Sequence, residues 1–185
     1  MVKFKNMLKE NYFIITGGPG SGKTTLIHEL EKLRIKCVPE VARVIIKEQM
    51  ASRGKALPWE DTTLYSKLMI ERSVDDFRKY QNHTETLIFD RGIPDTIGYM
   101  ELIQLSPSPE YQKLANEYRY NKKVFILPPW EEIYAVDSER KQNFNEAVRT
   151  YNQLSQTYLH LGYELIILPK VSVGERAKRL ISELS

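Results

Sequence analysis

The chain has 185 residues, 42% hydrophobic and 28% charged, the make-up of an ordinary globular protein large enough to bury a core without disulfide or metal staples. Lys and Arg exceed Asp and Glu by 27 to 24, and a net charge of +3 spread along the chain argues against a nucleic-acid or membrane surface while leaving acidic small molecules as candidate ligands. The single cysteine, Cys37, excludes an internal disulfide and reads as a buried strand residue; with no apolar run of signal-peptide or membrane-span length, one domain over residues 1–185 and a cytoplasmic location are expected.

In chain order, the apolar run Tyr12 to Ile15 predicts a first strand, and Leu26 to Leu33 carries apolar residues at helical spacing. Between them Gly17 to Thr25 reads GGPGSGKTT, so the order is strand, glycine-rich turn, helix. Ile35 to Val38 predicts a second strand, stopped at Pro39-Glu40, and Val41 to Arg53 a helix closed by Gly54. A linker, Lys55 to Trp59, leads to a long helix from about Glu60 to Tyr80. Thr86 to Phe89 predicts a third strand, apolar throughout, that stops at Asp90-Arg91-Gly92. Two helices follow, about Asp95 to Leu105 and Pro109 to Tyr120, then a fourth strand, Val124 to Leu127, broken by Pro128-Pro129. The polar stretch from Trp130 to Gln142 has no clear periodicity and predicts a lid at 130–142. A helix from Asn143 to Leu161, a fifth strand from Tyr163 to Leu168 and a helix from Val173 to Leu184 complete the chain. Strands alternating with helices in this way predict a three-layer, doubly wound α/β fold with a five-stranded, mainly parallel sheet.

The spacing Gly17-x-x-x-x-Gly22-Lys23-Thr24 is that of a P-loop, and each fixed position has a mechanical reason. Without Cβ atoms in the way, the backbone N–H groups of Gly17, Gly18, Gly20, Ser21 and Gly22 can turn toward phosphate oxygens, while Pro19 stiffens the loop. Lys23 would reach the β- and γ-phosphates, the Thr24 hydroxyl would ligate Mg²⁺, and Thr25 would lie close to the α-phosphate. Asp90, ending a buried strand, is placed where P-loop enzymes hold Mg²⁺. Arg91 follows it where a motor ATPase needs a second acid, so efficient hydrolysis of ATP is disfavoured. Asp95-x-x-Gly98 and Asn121-Lys122-Lys123 imitate GTPase motifs but lie in the wrong places or lack the guanine-reading acid. Glu40 and Arg43, three residues apart, share one face of a first helical turn, where the carboxylate could take a proton from an acceptor hydroxyl and the arginine could hold an anion. Arg140 or Lys141 in the lid could swing over the γ-phosphate. Trp59 and Trp130, at loop-to-helix junctions, could stack on a base or clamp the adjoining helix. The three histidines have no ligand spacing, so no structural metal site is expected.

Taken together, TGGPGSGKTT, VPEVAR, IFDRGIPDT and VFILPPWEEIY-x-x-DSERK resemble a family of bacterial P-loop proteins described as predicted ATPases with an AAA-like domain. The resemblance runs from about Tyr12 to Val173 and extends to the kinase domain that phosphorylates ribosylnicotinamide and, more distantly, to deoxynucleoside and thymidylate kinases. It implies a nucleotide-kinase-like fold in which Gly17 to Thr25 bind ATP phosphates, Thr24 and Asp90 serve Mg²⁺, Glu40, Arg43 and Arg91 face a small-molecule acceptor, and Arg140 belongs to the lid. No nucleic-acid or membrane partner is implied, and the acceptor and oligomeric state stay open. A kinase is the leading expectation; a nucleotide-dependent switch and a slow ATPase are the alternatives.

Overall fold

A computed structural model describes residues 7–134 and 144–184. Five strands, β1 (Tyr12–Gly17), β2 (Lys36–Val38), β3 (Leu87–Asp90), β4 (Lys123–Leu127) and β5 (Glu164–Ile167), pair in the order β2-β3-β1-β4-β5. Every pairing is parallel, so the expected mainly parallel sheet is wholly so. Helices α1 (Lys23–Lys32), α2 (Val41–Ser52), α3 (Thr62–Lys79), α4 (Ile93–Leu102), α5 (Pro109–Glu117), α6 (Phe144–His160) and α7 (Val173–Ile181) supply the crossovers that parallel pairing requires.

β1 is the central strand, and all six of its residues are buried. Its side chains alternate between two cores. Tyr12 and Ile14 point to the layer built from Ile70, Val74 and Phe77 of α3, Ile93 and Ile97 of α4 and Tyr158 of α6. Phe13 and Ile15 point to the opposite layer, with Leu26, Ile27 and Leu30 of α1 and Ala177 and Leu180 of α7. A strand covered on both faces must be apolar at every position, because alternation leaves no solvent side. Each fully buried Ile or Phe here contributes about 1.5–3 kcal/mol, which is why this strand anchors the sheet. A third, smaller cluster joins Ile45 of α2 to Tyr65 and Met69 of α3, with Tyr99 of α4 against it.

Three predicted boundaries move, each for a physical reason. α1 begins at Lys23, ahead of its apolar periodicity, because the glycine turn feeds directly into helical geometry. α4 begins at Ile93, with Pro94 in its first turn where a missing N–H costs nothing. The helix expected to reach Tyr120 stops at Glu117. Tyr118 and Tyr120 are drawn instead into the core, edge-on to Phe77 with ring centroids 5.3 and 5.0 Å apart, and Tyr118–Arg119 pairs in parallel with Met7–Leu8. Cys37 is a free, half-buried thiol on β2, and burial raises its pKa to about 12, which suppresses the reactive thiolate. No helix among the described residues is long and apolar enough to cross a membrane.

Candidate active site

In a parallel sheet all the carboxyl ends face one edge, and a crevice opens there where neighbouring strands lead to helices on opposite faces. β1 leads into the glycine turn, β2 into Glu40 and β3 ends on Asp90. The register sets Ile15 beside Asp90 and Val38 beside Phe89, so groups far apart in sequence converge on the turn.

The turn takes up backbone geometry that side chains resist. Gly20 has φ 71° and Gly22 φ 87°. A Cβ at Gly20 would stand 2.4 Å from the Tyr134 ring, and one at Gly22 3.0 Å from Nη1 of Arg176. α1 then starts with no capping side chain and no acid in its first turn, whereas α3, α5 and α7 are capped by Asp61, Ser108 and Ser172. Its first N–H groups and the positive end of its dipole are thereby left for an anion. Ser21 is buried, and its Oγ has no hydrogen-bond partner among the described residues. Thr24 is half-buried and Thr25 exposed at the start of the helix.

Lys23 is 7% exposed and, among the described residues, in no ion pair. Burial pushes its pKa down, with Arg91 adding to the effect and Asp90, Glu40 and Asp95 opposing it. An ammonium so placed is a standing cost until an anion neutralises it. Lys23→Ala is therefore expected to weaken MgATP binding by about a hundredfold or more without lowering the melting temperature, as titration calorimetry and thermal unfolding would show.

Beside Lys23 lies a network of acids and arginines. Arg91 carries φ 72°, a left-handed conformation that costs an ordinary residue about 1–2 kcal/mol. Its guanidinium holds it there: Nε donates to Oε1 of Glu40 at 2.8 Å, Nη1 to Oδ1 of Asp95 at 3.0 Å and Nη2 to the Gly17 carbonyl at 3.1 Å. The donor expected from the sequence to face a substrate makes these three bonds within the chain. Glu40 is clamped from both sides, because Arg43 donates to its other oxygen at 3.1 Å. Burial alone would raise the Glu40 pKa, but Arg91, Lys23 and Arg43 bring it down to about 2. Glu40 is consequently held as an anion beside the loop. Arg43 itself is half exposed.

Asp90 differs from Glu40 in environment. Its Oδ1 is buried without a hydrogen-bond partner among the described residues, and burial pushes its pKa up against the pull of Lys23. An orphaned carboxylate oxygen beside a phosphate loop fits a cation. No cluster of three or more His, Cys, Asp or Glu ligands occurs among the described residues.

Two features were not legible as functional in the sequence. Asp95, dismissed there as part of an accidental motif, is the hub beneath Arg91: 6% exposed, it accepts from Thr16 Oγ1 at 2.5 Å, from the Gly92 N–H at 2.8 Å and from the Tyr158 hydroxyl. A lone acid in the otherwise apolar start of α4 was the available signal. Arg176 was overlooked entirely. It is 4% exposed on α7, donates to the Ser21 carbonyl at 3.1 Å and lies 4.5 Å over the Trp130 ring. Its place on the apolar stripe of Val173, Ala177 and Leu180 could have exposed it. Of the two tryptophans, Trp130 thus stacks on an arginine, and Trp59 stays 65% exposed. Arg140 and Lys141 lie outside the described residues, as does the lid beyond Tyr134. Glu131–Ile133 forms one 3-10 turn.

With this geometry in view, residues 12–176 match a family model described as an AAA domain. The chain belongs to that AAA-domain family. The matched span starts with β1 and ends on Arg176, so it contains the phosphate loop, Glu40, Asp90 and the hub beneath Arg91. No curated protein matches the chain. Among solved structures, NadR in complex with NR superposes with a TM-score of 0.68 at 20% identity, over 92% of this chain and 49% of that one. The chain therefore spans about half the length of NadR. Thymidylate kinase from Ehrlichia chaffeensis gives 0.63 at 16% identity, and deoxyadenosine kinase from M. mycoides, with dCMP and dCDP bound, 0.61 at 15%, each over 94% of this chain and 98% of that one. At these identities the likeness is one of fold: this member of the family is a P-loop NTPase built like nucleoside and nucleotide kinases.

Proposed function

We propose that the protein is an ATP-dependent phosphotransferase, reading residues 1–185 as one kinase-like domain, and that it moves the γ-phosphoryl group to a hydroxyl or phosphate oxygen of a small, nucleoside-like acceptor. The observation that carries this reading is the Glu40–Arg91 ion pair held against the phosphate loop through the Gly17 carbonyl. A motor ATPase places a second acid next to the strand-end Asp to activate water; here that position is an arginine committed to fixing a carboxylate instead.

ATP phosphates would rest on Gly17 to Thr25, with Lys23 neutralising the β- and γ-oxygens. Bound Mg²⁺, held by Thr24 and Asp90, would supply further neutralisation of phosphate charge. Glu40 accepts a hydrogen bond from the acceptor hydroxyl and aims its oxygen at the γ-phosphorus. The bond to the ADP oxygen breaks as the new P–O bond forms, and the hydroxyl proton passes late to an oxygen of the transferred phosphoryl group and from there to solvent. A carboxylate with a pKa of about 2 suffices for this, because a loose transfer asks for orientation more than basicity. Arg43, half exposed beside Glu40, could hold an anionic group of the acceptor.

The test is acceptor-dependent ADP release from MgATP with nucleosides, nucleoside monophosphates and ribosylnicotinamide. At least one should raise the rate about tenfold or more over no acceptor. Uniform failure across the panel would sink the kinase reading. A nucleotide-dependent switch is the second reading, supported by the contact of Tyr134 with the loop at Gly20. It expects nucleotide-dependent proteolysis near Tyr134 and no acceptor turnover.

A further inference from the structure

Arg176 is a buried arginine with no carboxylate partner among the described residues. Its Nε has no hydrogen-bond partner among them. Its two contacts, the Ser21 carbonyl and the Trp130 ring, are dipolar and aromatic. Neither removes a charge. Position 176 lies on the stripe with which α7 enters the core, next to Ala177 and Leu180, where an uncharged side chain would satisfy packing at no desolvation cost. Retaining a cation there makes sense if an anion completes the site. The loop is shaped to receive the guanidinium, because a Cβ at Gly22 would meet Nη1 at 3.0 Å and Cδ1 of Ile133 at 3.2 Å. Only one residue separates Gly22 from Thr24.

We propose that Arg176 is a positioning residue of the nucleotide site, which holds the Ser21–Gly22 turn in the form that receives a polyphosphate and adds a second buried positive charge to that of Lys23. Trp130 covers the guanidinium and keeps water from screening it. The ligand it serves is the polyphosphate and not the base. This rests on the reading of the chain as a nucleotide-binding protein and goes beyond it by assigning the phosphate charge balance to two helices, α1 and α7.

A residue that merely ties α7 to the loop and one that serves the polyphosphate give opposite results on removal. In Arg176→Met the ligand-free protein is expected to melt at the same temperature as the unmodified protein or higher, since a buried charge has gone. Its affinity for magnesium tripolyphosphate and for MgADP should fall by a common factor of about ten or more, with affinity for adenosine unchanged. Arg176→Lys keeps a cation but not the planar fork that meets both Ser21 and the indole, and should fall between the two. The inference is overturned if Arg176→Met binds tripolyphosphate as the unmodified protein does. It is equally overturned if melting temperature and adenosine affinity fall together with it, or, should Arg176→Met not fold, if Arg176→Lys binds tripolyphosphate undiminished. If the unmodified protein binds neither tripolyphosphate nor MgADP, the nucleotide reading fails along with it, so the two failures are told apart.

Discussion

Glu40→Gln is expected to lower acceptor-dependent ADP release by about a hundredfold or more while leaving MgATP affinity within about threefold. Glutamine keeps the shape of the side chain and an oxygen for Arg91, but not the charge that two arginines and Lys23 converge on. The acceptor hydroxyl then loses a full anion as its hydrogen-bond partner, and Arg91 keeps its ion pair with Asp95. Nucleotide contacts made by the loop are untouched. Steady-state kinetics beside a binding titration separate these effects, and equal losses in both would show that Glu40 shapes the nucleotide site rather than aiming the acceptor. The same residue sets an acid limit. Its pKa in the folded chain, about 2, is below the ordinary 4.5, so its stabilisation is full above about 4.5 and is lost as pH falls through 2. The stability gap between the unmodified protein and Glu40→Gln should therefore close over that window, measurable by urea unfolding at stepped pH.

Asp95→Ala should cost about 3–5 kcal/mol of folding stability, the range seen when one partner of a buried ion pair is removed. Four donors converge on this carboxylate from three directions: Thr16 at the end of β1, Arg91 and Gly92 ahead of α4, and Tyr158 of α6. Alanine would leave the Thr16 and Tyr158 hydroxyls and part of the Arg91 fork buried without partners. Thr16→Val and Tyr158→Phe, which each remove one donor and leave the acid satisfied by the rest, should cost only about 1 kcal/mol apiece. Chemical denaturation of the set checks the ordering. A loss for Asp95→Ala no greater than for the single hydroxyls would mean that the network is not held through this residue. The consequence for function follows from Arg91, whose left-handed backbone is kept in place by its side-chain bonds. Loosening Asp95 is expected to disturb Glu40 as well.

Local pattern made much of this legible. The run from Tyr12 to Thr25 reads as strand, turn and helix because Tyr12 to Ile15 are apolar and Gly17, Gly20 and Gly22 stand where positive φ is needed. Glu40 and Asp90 could be placed near the loop because parallel strands deliver their carboxyl ends to one edge. Asp95 could not be assigned, since its partners Thr16 and Tyr158 lie 79 and 63 residues away. Nor does periodicity reveal that Tyr118 and Tyr120 leave their helix to meet Phe77, a choice made by core packing across the sheet.

The amino-acid sequence by itself determined the α/β alternation, the phosphate loop and the acids at positions 40 and 90, because hydrophobic period and glycine spacing act over a few neighbouring residues. Only the tertiary structure decided that Arg91 donates to Glu40 and the Gly17 carbonyl, that Glu40 is a clamped anion, and that Arg176 reaches Ser21 from the far end of the chain. Those outcomes depend on which charges are buried together, and burial is a property of the assembled layers that no local stretch of sequence contains.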